Sequence, residues 1–221
     1  MQESMSRTPS VSVFGWFTVP ESVVVTWVIM AFLVIVSILL TRNLKKIPTK
    51  RQALLEYVID FLNRFCKENL GKHWRPFAPW IGTVALYLAC ANLAGLAGLP
   101  PPTRDLTVTA ALALMSMVLI YGAQFRYHGL KGGLKRFAET TPLLLPINVM
   151  EVVIRPLSLC MRLFGNILAS FVIMEMIKAI FPAVLPVPFS LYFDLFDGLI
   201  QTLVFVFLTT LFVGESVSDE H

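Results

Sequence analysis

The sequence predicts an all-α integral membrane protein with about five membrane helices plus one amphipathic surface helix, the last two membrane helices forming a long hairpin. Three observations carry this. Of 221 residues, 56% are hydrophobic and only 14% charged, where a soluble domain carries about 25%. The mean hydropathy is +0.72, and several apolar runs reach membrane-spanning length. The cations cluster beside those runs rather than over a separate surface, so the net charge of +4 reads as the positive-inside bias and not as a nucleic-acid footprint.

Taken in order, residues 1–22 form an external N-terminus and 23–40 the first span, about 27 Å at a helical rise of roughly 1.5 Å. Arg42, Lys45 and Lys46 follow this run instead of preceding it, and no small-residue cleavage site appears. It is therefore expected to be a retained span and not a signal peptide. Residues 53–70 place Leu54, Leu55, Val58, Ile59, Leu62 and Phe65 at helical spacing, with Glu56, Asp60, Arg64, Lys67 and Glu68 as the polar remainder. This is an amphipathic helix lying on the membrane surface or packed on a partner. Residues 80–125 form a two-span hairpin, 80–99 and 106–125, joined by the proline turn "GLPPPTRDL". Lys and Arg number five over residues 42–51 and four over 126–136, but one each over 98–107 and 178–190. The sides alternate accordingly, with the N-terminus outside and the basic loops cytoplasmic. Residues 141–213 make the final hairpin, in which Pro142, Pro146 and Pro156 bend or divide the first arm. Residues 214–221 are a cytoplasmic tail, and the chain reads as one membrane domain.

That last hairpin is unusually polar. An arginine at a helix centre in a bilayer costs roughly 2.5–3.5 kcal/mol on insertion scales, yet Arg162 stands in the apolar run "LCMRLFGNILASFVIMEM" with Asn166 and Glu175. At about 100° per residue, Asn166, Arg155 and Glu151 fall within about 40° of Arg162, while Glu175 lies about 140° away. On the returning arm Asp194, Asp197 and Gln201 share a face. By distance from the turn, Glu175 and Asp194 are at similar depth, Arg162 and Gln201 lie deeper, and Asn148, Glu151 and Arg155 fall towards the cytoplasmic end. Ionisable residues inside membranes face a partner or a wet cavity, so an ion path is the reading. The plainer alternatives are a structural Glu151–Arg155 pair and acidic side chains that snorkel to the outer surface.

Other chemistries find little support. Cys66, Cys90 and Cys160, and His73, His128 and His221, are scattered without metal-ligand spacing. No cofactor is expected. No GxxxxGK[ST] loop is present, so no nucleotide site is expected in this chain.

"SLCMRLFGNILAS" closely resembles the signature of subunit a of F-type ATP synthases, and "PPTRDLTVTAALAL" resembles that family's proline turn leading into a span. The N-out span, the surface helix, the final helix with its glutamine and the "SDEH" ending extend the resemblance over nearly the whole chain. It implies a non-catalytic subunit whose last two helices are long, strongly tilted and packed against a ring of c subunits, with two offset half-channels. It also implies b-type peripheral stalk subunits and a soluble ATPase head as partners, and a bacterial inner membrane as location. Arg162 would face the ring carboxylates, with Asn166 and Gln201 near it. Many relatives carry a glutamate where this chain has Phe171; Glu175, one turn later, is the expected substitute. Asp194 occupies a position where titratable residues are common. Glu175, Asp194 and Asp197 are accordingly expected in the outer half-channel, and Asn148, Glu151 and Arg155 in the cytoplasmic one or in a structural pair. Whether the ion is a proton or sodium depends mostly on ring residues.

The main alternative is a secondary transporter with an intramembrane polar site, which would show related halves; none are found. An intramembrane enzyme lacks a catalytic constellation, and a passive scaffold leaves the ionisable groups of the last helices without a use. Co-purification with a soluble ATPase separates the rotary reading from all three.

Overall fold

The computed structural model describes residues 10–13, 17–42, 50–95, 100–138, 141–180 and 186–217. A two-stranded antiparallel ribbon, β1 (Ser10–Val13) and β2 (Phe17–Pro20), pairs Ser10 with Pro20 and Val13 with Phe17. Among the described residues, the elements that follow are helices: α1 (Glu21–Thr41), α2 (Lys50–Leu70), α3 (Ala78–Leu93), α4 (Leu106–Ala138), α5 (Thr141–Ile180), α6 (Pro186–Leu191) and α7 (Gly198–Val217). A 3-10 turn, Pro102–Arg104, precedes α4, and a π-helical stretch, Tyr192–Asp197, joins α6 to α7.

Among the described residues, four stretches are long and apolar enough to cross a membrane: Glu21–Thr41, Leu106–Tyr127, Met150–Ile180 and Pro188–Val217. α3 is shorter than its expected span. It stops at Leu93, with the Ala94 N–H bonded back to the Cys90 carbonyl, and residues 96–99 lie outside the described set. Its 16 residues span about 24 Å. α4 passes its expected end at Phe125, and the basic segment to Ala138, read from sequence as a loop, is helical after a break at Gly129 (φ 69°). Glycine takes that left-handed φ without steric cost. α5 is one helix despite its prolines; Pro142 falls at its start, where the missing N–H costs nothing. Its Met150–Ile180 portion has 31 residues, about 47 Å long, beyond the roughly 30 Å apolar thickness of a bilayer. α7 continues to Val217, so most of the expected tail before 218 is helix. Residues 43–49 of the first basic loop, the turn residues 181–185 and residues 218–221 lie outside the described set.

Two ends organise the molecule. At one, the Ser22 hydroxyl donates to Asp105 Oδ2 (2.7 Å) and the Thr107 N–H donates to Asp105 Oδ1 (3.0 Å), tying the start of α1 to the start of α4. Burial alone would raise the Asp105 pKa, but these bonds favour the carboxylate and the net shift is downward. At the other end α2 docks by its C-terminal half. Cys66 and Leu70 join Phe77, Ile81, Val213 and Val217 in one core. Burial pushes the Cys66 thiol up to about 11. A Cβ on Gly214 would come 2.8 Å from the Asn69 carbonyl oxygen; the crossing of α2 over α7 depends on that missing methyl. A second core sets Leu159 and Leu163 of α5 against Leu88, Leu112 and Phe205. α5 packs chiefly on α4, and α7 fits among α2, α3 and α4.

Candidate functional site

α5 places its polar residues by rotation. Leu159 and Leu163 are buried at 2% and 0%, which pins one face of the helix to the core. Arg162, one residue before Leu163, is turned about 100° away and is exposed. Ile154, Leu157, Met161 and Leu168 are among the exposed apolar residues of α5 around it. Among the described residues the Arg162 guanidinium has no ion-pair or hydrogen-bond partner. The space beside Gly165 is open, and a Cβ there meets nothing within 4 Å.

From Arg162 a polar ridge climbs α5 at four-residue spacing through Asn166 to Ser170. The Ser170 hydroxyl bonds the Asn166 carbonyl (3.0 Å) and also reaches Asp197 Oδ2 (3.4 Å), where α5 meets the start of α7. Ser170 was missed from sequence. Its signal was the i, i+4, i+8 spacing within the arginine motif, obscured because serine is a routine small residue in membrane helices.

α7 presents Gln201 one turn beyond Asp197. Gln201 is buried, and its Nε2 donor has no partner among the described residues, a state costing about 1–3 kcal/mol. The neighbours of these two residues are clamped from the opposite side. Asn92 on α3 donates to the Gly198 carbonyl (2.8 Å) and to Thr202 Oγ1 (3.0 Å), and accepts from Thr103 (3.3 Å). A Cβ on Gly198 would lie 2.9 Å from Asn92 Cβ, so only glycine permits this approach. Asn92 was not singled out in sequence, where one amide in an apolar run gives no indication of its partners.

The turn Pro102–Arg104 reaches both polar helices. Thr103 binds the Asn92 cluster, and the Arg104 guanidinium stacks 3.6 Å over the Phe171 ring. The position expected to carry glutamate thus lies under a cation–π contact. Glu175 is exposed and pairs with Lys178 (3.4 Å). Asp194 lies in the π-helical stretch, and its side chain is outside the described set. Since that stretch is not α-helical, the 100° rule does not fix the rotation from Asp194 to Gln201.

At the α2 end, Arg155 bonds Glu151 (2.8 Å) and Glu215 of α7 (3.3 Å) and lies 4.9 Å over the Phe212 ring. The expected i, i+4 pair is present, and α7 adds a second carboxylate that sequence spacing did not indicate. The Asn148 side chain is outside the described set. Among the described residues no three His, Cys, Asp or Glu side chains converge as metal ligands.

The family model described as the ATP synthase A chain matches residues 23–214. This is most of the chain, and it includes the polar helices α5 and α7.

Proposed function

We propose that this chain, which belongs to the ATP synthase A chain family and is thus a membrane-sector subunit of a rotary ATP synthase, is the stator that carries ions past the c-subunit ring. The observation that carries the reading is Arg162: a permanent cation, exposed on an apolar membrane helix, with no partner among the described residues. Membrane cations are found with partners, and a moving ring of carboxylates would bring one to it repeatedly.

The chemistry follows from charge. A ring carboxylate arriving from lipid is neutral, holding a proton or a sodium ion. At about 4 Å and an effective dielectric near 20, its attraction to Arg162 is roughly 4 kcal/mol, or about three pKa units before desolvation opposes it. The ion is therefore released into one half-channel, and the site reloads from the other after passing Arg162. The same fixed charge blocks direct leakage between the half-channels. Lysine would serve poorly, because burial can strip its proton while arginine stays charged.

Asn166, Ser170, Asp197 and Gln201 line the outer route to Arg162 in this reading, with Glu175 and Asp194 further out; Asn148, Glu151 and Arg155 mark the cytoplasmic end. The c ring and b-type stalk subunits are the partners, and the soluble head performs the nucleotide chemistry. The Lys and Arg distribution favours a plasma (inner) membrane orientation with the N-terminus outside and the C-terminus cytoplasmic.

The test is ATP-driven acidification of proteoliposomes holding the purified complex in sodium-poor buffer. Wild type acidifies the lumen and Arg162→Ala does not; equal pumping by the mutant overturns the reading. Sodium uptake in place of acidification keeps the mechanism and assigns sodium as the ion. Glu175→Gln with Asp194→Asn slows flow about tenfold or more, a barrier increase of roughly 1.4 kcal/mol; an unchanged rate removes both from the outer route.

A further inference from the structure

A groove of about 530 Å³ opens on the surface of the bundle between the start of α3 and the middle of α4. Phe77 and Trp80 form one wall, Leu114, Met115 and Val118 the other. Val118 is 73% exposed, far more than a core position would be. Gly122 also borders the groove, and a Cβ built there meets nothing within 4 Å. Arg126 is the last residue along α4 that lines the groove. It is exposed, and among the described residues it has no ion-pair or hydrogen-bond partner. The basic run continues beyond it with Lys131, Lys135 and Arg136.

An apolar trough on the surface of a membrane protein suits a hydrocarbon chain, and an exposed guanidinium beside it suits a phosphate through charge-assisted hydrogen bonds. Basic pockets beside membrane helices select anionic headgroups on the same principle. Trp80 suits the interfacial level between chain and headgroup. We propose that this groove binds a phospholipid of net negative charge, with an acyl chain along Leu114–Gly122 and its phosphate on Arg126. The absence of a neighbour at Gly122 leaves room for the chain. This inference needs only that the protein is embedded in a membrane, and stands or falls apart from the ion path.

The purified complex, reconstituted with a photoactivatable phosphatidylglycerol or its phosphatidylcholine counterpart, tests it by peptide mapping. The anionic probe is expected to label the Leu114–Ala123 segment several-fold more than the zwitterionic one. Gly122→Leu, which fills the trough, lowers labelling by both probes, and Gly122→Ala does so to a smaller degree. Arg126→Gln abolishes the preference for the anionic probe while leaving the zwitterionic labelling. Equal labelling by the two probes in wild type overturns the proposal, as does labelling that Gly122→Leu leaves unchanged. So does efficient cross-linking of Val118→Cys to another membrane subunit, which would make the groove a protein interface. ATPase-coupled pumping is not part of the readout, so loss of the rotary reading would not affect the result.

Discussion

Arg155 and Arg162 sit seven residues apart on α5, rotated by only about 20° and separated by about 10.5 Å along the axis. Their surroundings are opposite. Arg155 is held by Glu151, Glu215 and the Phe212 ring; Arg162 is exposed without a partner among the described residues. The helix supplies the same residue on nearly the same azimuth twice, and the neighbouring helix decides what each becomes. Where the end of α7 reaches over α5, the arginine is neutralised and becomes a structural tie. Two turns further on, no carboxylate among the described residues meets it, and its charge stands exposed.

The largest effect separating the two should come from exchanging their losses. Arg162→Ala should abolish pumping while leaving complex yield and melting temperature close to wild type. Arg155→Ala should do the reverse: pumping per assembled complex is retained, and the melting temperature of the detergent-solubilised complex falls. The tie is partly exposed, with side-chain exposures of 27% for Arg155 and about half for each glutamate, so solvent screening limits its value to about 1 kcal/mol. If Arg155→Ala stops pumping in fully assembled complexes, the contrast between the two arginines is broken.

Next in size is the clamp that positions α7. Gly198→Ala drives a methyl to within 2.9 Å of Asn92 Cβ, and such overpacking costs roughly 1–3 kcal/mol. It should lower the melting temperature and slow pumping together, because Asp197 precedes Gly198 and Gln201 lies within a turn of it. Gly214→Ala, against the Asn69 carbonyl at 2.8 Å, should lower the melting temperature with less effect on pumping. Equal effects on pumping would show that α7 moves as one rigid body. That outcome would extend the influence of the Arg155 end to the Arg162 level.

The smallest expected effect is at Asp105. Its folded pKa is depressed, so its stabilisation is present above the unfolded carboxylate value and is lost as pH falls through the folded one. Thermal melting between pH 7 and pH 3 should show a decline that Asp105→Asn flattens. The same decline in both would assign the acid sensitivity to groups other than Asp105.

Apolar length and charge placement made most of the helices legible. The run 23–40 became α1, and the helical stripe from Leu54 to Phe65 became α2, which starts three residues earlier than expected, at Lys50, and ends as expected at Leu70. Hydropathy failed where an apolar residue occurs outside a helix, as at Ala94, and where cations occur inside one, as after Gly129. Both errors have one origin: hydropathy reports preference for lipid, not helical geometry. At the site, the motif around Arg162 was visible because an arginine there is costly. Ser170, Asn92 and Glu215 carry ordinary residue identities, and their roles exist only through partners 27, 106 and 60 positions away. No single-sequence pattern reports such distances.

The π-helical stretch Tyr192–Asp197 acts as a rotational spacer. A wider turn holds one more residue than an α turn over a similar length of axis, so it sets the angular phase of everything before it against everything after it. Deleting one residue there would tighten the coil and swing Pro186–Leu191 round by about 100° relative to Gln201, while the clamp on Gly198 keeps α7 in place. Chain length in this stretch is therefore an angular setting: it determines which way Pro186–Leu191 faces relative to Gln201.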